Sequence, residues 1–172
     1  MTRHFSLLSR LLHWLMAILI LAMLFIGVAM VSSLSDYHRL VSIHKPLGIL
    51  ILILVAIRLV NRLFNPAPSL PAGMPAALRF TAHASHWLLY ALMFALPLVG
   101  WGMLSAAGYP IVLIGLLHLP PILPHDAGLY AALRPLHTVL AFVLFATFLA
   151  HLGAALMHAV VFRDGVFQSM TR

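Results

Sequence analysis

The sequence contains very little charge, and acidic residues are the scarcest part of it. Of 172 residues only 8% are charged and 63% are hydrophobic, and the acidic residues number three, all of them Asp. A soluble domain of this size needs a far more charged surface, so the composition excludes an ordinary soluble protein. Proton-coupled transport is disfavoured as well, because that chemistry uses carboxylates inside the membrane, and the long apolar stretches contain none.

Cysteine is absent altogether. Its absence excludes disulfide bonds, iron–sulfur clusters held by thiolates, and covalent haem attachment through a Cys-x-x-Cys-His motif. A zinc site is disfavoured too, because it needs three or four ligands in one small sphere, usually with thiolates or carboxylates among them. Metal chemistry in this chain is therefore expected to depend on imidazole.

The net charge is +7, with ten Lys and Arg residues. A basic protein raises nucleic acid as a partner. Here, however, the cations lie at the ends of apolar stretches and in short loops, where such residues fix topology and contact lipid headgroups. We therefore expect membrane lipid as a partner and no nucleic acid.

Four apolar stretches are long enough to cross a bilayer, which takes about 20 residues per helix. They predict an all-α membrane protein, a four-transmembrane-helix bundle that forms a single domain over residues 1–172, with helices at about 6–33, 37–64, 77–104 and 129–162. The first stretch is too long for a signal peptide and is expected to be retained. Ser6 and Asp36 are candidate N-caps, and Pro97 is a candidate kink. The apolar stretch 111–119 is too short to span and is expected at the membrane interface.

Positive charge is distributed unequally between the two ends of this bundle. The end with both termini and the proline-rich connector 65–75 carries Arg3, Arg10, Arg58, Arg62, Arg79, Arg163 and Arg172. The opposite end carries Arg39, Lys45 and Arg134. The positive-inside rule therefore predicts a multi-pass protein with both termini in the cytoplasm.

The sequence has 11 histidines, and histidine inside a membrane is costly unless it is paired, hydrated or bound to metal. His137 and His151 lie 14 residues apart, which in an α-helix is about 21 Å of rise and about 40° short of four full turns. They therefore share one face of the fourth helix at two depths. His44 is expected at the outer depth of His137, and His13 at the cytoplasmic depth of His151.

Two imidazoles that face each other at one depth form a bis-histidine site for haem iron. The pattern predicts an outer pair, His44 with His137, and an inner pair, His13 with His151. Each ring binds metal through one nitrogen, and its second nitrogen needs a hydrogen-bond acceptor.

Two glycines lie at the depth of the outer pair. Gly27 is 14 residues outward from His13, and Gly100 is 14 residues outward from His86. They would let a flat macrocycle approach the backbone, or they would be the ordinary packing glycines of membrane helices.

Other histidines leave alternatives open. His86 shares a face with His83 by its spacing, and it is a rival to His13 as the partner of His151. His158 would serve a quinone headgroup or face water. The remaining histidines are expected at the surface or in loops: His4, His38, His118 and His125.

Several short stretches, taken together and in order, resemble the bacterial cytochrome b561 family of small four-helix cytochromes. They are Leu12-His13-Trp14-Leu15, Ile43-His44-Lys45 with Gly48, Arg58-Leu59-Val60-Asn61-Arg62, the proline-rich connector, Ala82-His83-Ala84-Ser85-His86 with Tyr90, Ala95-Leu96-Pro97, Leu136-His137, the stretch from His151 to His158, and Arg163-Asp164-Gly165 with Met170. The resemblance covers nearly the whole chain.

The resemblance implies two haem b groups in a bacterial inner (plasma) membrane. One is held by His13 and His151 on the cytoplasmic side, and the other by His44 and His137 on the periplasmic side. It also implies electron exchange with ubiquinone, and some family members are superoxide oxidases, so a superoxide:ubiquinone oxidoreductase is expected. A haem-carrying anchor subunit for a dehydrogenase or hydrogenase is an alternative, as is a non-haem helical transporter.

Cations at the outer end fit either of two roles. Arg39, Lys45 and Arg134 would steer superoxide, a small anion, toward the outer pair, or they would pair with haem propionates or lipid phosphates. The residues expected to contact quinone or a propionate are His158, His86, Arg79, Lys45 and Arg134.

Overall fold

Long helices dominate the protein. The computed structural model describes residues 4–71, 73–113 and 118–171. Its elements are α1 (Leu7–Ser32), α2 (Tyr37–Phe64), α3 (Ala76–Ala106), β1 (Ile111–Val112), β2 (His118–Leu119), α4 (Ala127–Met157, continued by a π-helical turn at His158–Phe162) and the short α5 (Gln168–Thr171). Within the described ranges four helices are long and apolar enough to cross a membrane. The predicted fold class, a helical membrane bundle, is confirmed.

Capping side chains explain where two of the helices, α1 and α4, begin. The Ser6 hydroxyl accepts a hydrogen bond from the Ser9 amide at 3.3 Å, and the Asp126 carboxylate accepts one from the Leu129 amide at 2.8 Å. This second cap starts α4 at Ala127, two residues before the expected start. Asp36 directly precedes α2, as predicted, but its backbone is already helical and its side chain makes no capping bond. A cap works from an extended backbone, and the Asp36 carboxylate instead accepts a hydrogen bond from the Ser33 hydroxyl.

The helices pack as two hairpins. α1 packs along α2, α3 packs along α4, and the hairpins meet mainly along a shorter seam between α2 and α3. The central core contains Met16 of α1, Val55 of α2, Met93 of α3 and Leu144 of α4. Large apolar side chains cover the outside, among them Phe142, which is 70% exposed. An apolar exterior around a small core is what a lipid solvent requires.

The connection between α3 and α4 folds back over one end of the bundle. β1 and β2 pair antiparallel, with Ile111 opposite Leu119. The Trp101 indole donates a hydrogen bond to the Pro120 carbonyl at 2.9 Å, which holds the connection against α3. The expected interfacial segment 111–119 therefore contributes two short strands, while its residues 114–117 lie outside the described ranges.

Candidate functional site

The outer pair brings α2 and α4 together near the α3–α4 connection. The ring centres of His44 and His137 lie 6.2 Å apart, and the ring planes cross at 67°. Imidazole binds a metal ion at about 2 Å, so two rings on opposite sides of one ion have their centres about 6 Å apart. The Nδ1 atoms of both rings are buried and have no hydrogen-bond partner among the described residues. The spacing of the two rings fits a metal held between them.

Both rings of the outer pair line one cavity. Its walls come from α2, α3, α4 and β1, and the lining residues are His44, Lys45, Gly48, Ile49, Pro97, Gly100, Trp101, Met103, Leu104, Ile111 and His137. Apart from Lys45 and the two imidazoles, the lining is largely apolar. Such a cavity suits a flat apolar group with a charged edge.

Of the two glycines predicted to matter at this depth, one touches the site. A Cβ on Gly100 would lie 3.2 Å from Cε1 and 3.5 Å from Nδ1 of His137, whereas a Cβ on Gly27 would meet nothing within 4 Å. Gly100 thus lets α3 approach the His137 ring closely. The predicted contact was with a macrocycle, whereas the observed contact is with the histidine. The open space beside Gly27 leaves room for a bulky group next to α1.

The inner pair bridges α1 and α4 toward the other end of the bundle. The ring centres of His13 and His151 lie 6.3 Å apart, with the planes at 70°. This spacing nearly equals that of the outer pair, so it also fits two imidazoles on one metal ion. Both pairs that were predicted by depth are therefore brought together in the structure.

The rival partner, His86, also reaches His151. Their ring centres lie 5.3 Å apart, which is shorter than the spacing of either predicted pair. His151 is thus flanked by His13 from α1 and by His86 from α3. His83, which was expected to share the face of His86, is exposed.

Paired imidazoles suit haem better than a bare ion. Within the described ranges, no group of three or more His, Cys, Asp or Glu side chains could hold a metal ion. An ion held by protein alone generally needs three or four such ligands. Haem iron already has four nitrogens from its macrocycle and needs only two axial ligands, and each histidine pair can supply two.

Sequence reasoning used Arg58 as a topology determinant and as part of a stretch that resembles the family, and it assigned no role at a histidine pair, but the structure places Arg58 beside the inner pair. Its Nη2 lies 3.1 Å from Nδ1 of His13, and its Nε donates a hydrogen bond to the Tyr90 hydroxyl at 3.2 Å. Because guanidinium only donates, Nδ1 of His13 accepts this hydrogen bond. From the sequence, the second nitrogen of each ring was instead expected to face a hydrogen-bond acceptor. An arginine within an apolar helix is costly in a membrane. That cost is the sequence feature that could have marked Arg58 as a functional residue.

The remaining candidate residues are distributed over both ends of the protein. Nδ1 of His158 lies 2.7 Å from the Asp164 carboxylate, and the π-helical turn begins at His158. Arg79 is exposed and donates a hydrogen bond to the Met74 carbonyl. The other candidate cations, Arg39 and Arg134, are exposed, as are the histidines expected at the surface or in loops, His4, His38, His118 and His125.

Comparison with known proteins gives consistent matches along nearly the whole chain. The family described as prokaryotic cytochrome b561 matches residues 4–172. Cytochrome b561 homolog 2 of Escherichia coli (strain K12) is 34% identical over 171 residues, covering 96% of this chain and 90% of that protein. The protein named probable superoxide oxidase CybB of Yersinia pestis is 30% identical over 175 residues, covering 99% and 97%. Cytochrome b561 homolog 1 of Escherichia coli (strain K12) is 26% identical over 136 residues, covering 79% and 77%.

Proposed function

Because this chain belongs to the prokaryotic cytochrome b561 family, whose members bind b-type haem and transfer electrons across membranes, we propose that it holds two haem b groups and carries electrons from the outer pair to the inner pair. The observation that supports this most strongly is the near-identical spacing of the two pairs, 6.2 and 6.3 Å. When bound, haem supplies a one-electron carrier.

The positions of the four histidines determine where the two haems would lie. His44 and His137 would hold one group between α2 and α4, and His13 and His151 would hold the other between α1 and α4. Their positions on α4 differ by 14 residues, about 21 Å along the helix, so the sites cover much of a hydrocarbon core of about 30 Å. Each histidine pair would supply both protein ligands of its haem, so donors and acceptors would exchange electrons with the haem without binding to the iron.

The proposed electron donor is superoxide, which becomes dioxygen when it gives up one electron. A cation at the outer cavity supports this, because Lys45 lines the cavity and an anion is drawn toward positive charge. Exposed Arg39 and Arg134 add charge at the same end. The relative in Yersinia pestis carries the name probable superoxide oxidase. Pairing of these cations with haem propionates or lipid phosphates would coexist with steering, because a paired cation still shapes the local field.

The proposed acceptor is ubiquinone at the inner end, where two electrons and two protons give ubiquinol. His158, His86 and Arg79 are the candidate contacts. His158 is half-buried and paired with Asp164, and such a pair can orient an imidazole toward a quinone carbonyl. The proposed setting is a bacterial inner membrane, with the outer pair toward the periplasm and both termini in the cytoplasm.

Superoxide-driven formation of ubiquinol tests the donor and the acceptor together. Purified protein in lipid vesicles is supplied with an enzymatic superoxide source and ubiquinone, and ubiquinol is measured by its absorbance. We expect rapid formation in the wild type and loss in the His137→Ala variant, because that variant lacks one of the two histidines that would hold the outer haem. Haem that is reduced only when a dehydrogenase is added would refute the superoxide assignment and favour the anchor-subunit alternative.

A further inference from the structure

The hydrogen-bond partners of the Arg58 guanidinium are both neutral groups. It lies in α2, six residues before the end of that helix. Its Nη2 faces the His13 imidazole and its Nε donates to the Tyr90 hydroxyl. Its third nitrogen, Nη1, is buried and has no hydrogen-bond partner among the described residues. A buried charge with an unpaired donor is costly unless an opposite charge joins it.

Side-chain carboxylates of the chain do not supply that opposite charge. The chain has three acidic residues. Asp36 precedes α2 and Asp126 precedes α4, so both lie at the opposite end of the bundle. Asp164 pairs with His158 and accepts the Val166 amide. Among the described residues, the one ion pair is that between His158 and Asp164.

Arg58 lines a small pocket at the inner end of the bundle. The pocket is lined by Phe5, Ser9, Arg58, Asn61, Arg62, Asn65, Tyr90 and Met170. Arg62 brings a second cation, whose Cζ lies 5.8 Å from the centre of the Tyr90 ring. The C-terminal segment closes one side, because the Phe5 amide donates to the Ser169 carbonyl and the Trp14 indole to the Met170 carbonyl.

The hydrogen-bonding groups of this pocket favour an anionic ligand. Two guanidinium groups offer donors and no acceptors, and guanidinium matches carboxylate and phosphate with paired, charge-assisted hydrogen bonds. Asn61 is already engaged, since its amide donates to the Ser9 hydroxyl at 2.7 Å. The free hydrogen-bonding capacity is therefore mainly cationic, and an anion is the complement.

We propose that Arg58, together with Arg62, binds an anionic group from outside the chain, a carboxylate or a phosphate, beside the inner pair. The carboxylate source is a haem propionate, which rests on the proposed function, and the phosphate source is a phospholipid headgroup. Either anion compensates the buried charge of Arg58. It also offers that guanidinium a stronger partner than Nδ1 of His13.

Haem with esterified propionates separates the two sources. The His137→Ala chain, which keeps only the inner pair, is prepared without haem and titrated with haem and with haem dimethyl ester. The same titrations are made after adding Arg58→Met, Arg58→Lys or, as a matched control, Arg163→Met, since Arg163 is an exposed cation outside the pocket. Phosphate per chain is measured after extensive detergent exchange, and helical content by circular dichroism verifies that each variant is folded.

If the anion is a haem propionate, haem dimethyl ester should bind at least about tenfold more weakly than haem, because removing one side of a buried charge pair is costly. That penalty should disappear in Arg58→Met and be largely kept in Arg58→Lys and Arg163→Met. A lipid partner predicts instead a tightly held phosphate in the parent chain that Arg58→Met loses and Arg163→Met keeps.

The proposal is overturned if Arg58→Met binds both forms of haem as the parent does and leaves the phosphate content unchanged. It is also overturned if Arg58→Lys fails as completely as Arg58→Met while folded, because the charge would then not be what matters. A parent chain that binds no haem yet holds a phosphate through Arg58 would contradict the proposed function and leave the anion site standing.

Discussion

Adding one methyl group at Gly100 should weaken the outer site selectively. A Cβ at this position would come within 3.2 Å of Cε1 of His137, tighter than ordinary van der Waals contact, so the ring must shift by a few tenths of an ångström. Overpacking of a close contact costs about 1–3 kcal/mol, and a single methyl group against a side chain lies at the low end. At about 1 kcal/mol, haem should bind the outer site roughly fivefold more weakly in Gly100→Ala.

Helix propensity acts in the opposite direction and needs a control. Alanine favours a helix over glycine by about 1 kcal/mol, which stabilises the helix whatever the contact at Cβ. Gly153→Ala receives the same benefit on α4 but meets nothing within 4 Å. The difference between the two variants therefore isolates the contact with His137.

The rate of haem loss is measured by the transfer of haem to excess apomyoglobin, which is followed by absorbance. We expect one of two haems to leave faster in Gly100→Ala, with the other unchanged, and Gly153→Ala to match the wild type. Equal loss from both variants, or the same transfer rate in Gly100→Ala as in the wild type, would refute the contact as a determinant of the outer site.

Three other perturbations test separate parts of the account. Ser6→Ala removes the cap of α1 and should lower unfolding free energy in detergent by about 1 kcal/mol; an unchanged thermal midpoint would contradict the capping role. His13→Ala should abolish the inner haem while His86→Ala keeps it, as counted by pyridine haemochrome; the reverse result would make His86 the ligand. Because the chain has no cysteine, single Ser69→Cys and Ser35→Cys variants report sidedness, and an impermeant maleimide added outside intact cells stripped of the outer membrane should label only Ser35→Cys. Labelling of Ser69→Cys alone would reverse the orientation.

Helical geometry explains how much of this arrangement could be predicted from sequence. Length and hydropathy locate the helices, because the thickness of a bilayer fixes how many residues must be apolar. The rise per residue then gives the depth of each histidine that lies within a spanning helix. Depth alone matched His44 with His137 and His13 with His151, and the structure brings the members of each pair to 6.2 and 6.3 Å.

Lateral packing could not be predicted in the same way. Depth does not tell which faces of neighbouring helices meet, so sequence reasoning left His86 as a rival and missed the contact between Arg58 and His13. It also treated Gly27 and Gly100 alike, although only Gly100 faces a histidine. The missing side-chain cap at Asp36 has a local cause: its backbone is already helical, and Ser33 engages its carboxylate.

The central claim is that the two histidine pairs each hold one haem b. The reduced-minus-oxidised optical spectrum, combined with a haem count per chain, tests it most directly in the wild type and in His137→Ala. We predict a b-type spectrum with two haems per chain in the wild type, falling to one in the variant. A wild-type protein that shows no haem band after expression with ample haem would contradict the claim, and a non-haem transporter would then be the better explanation.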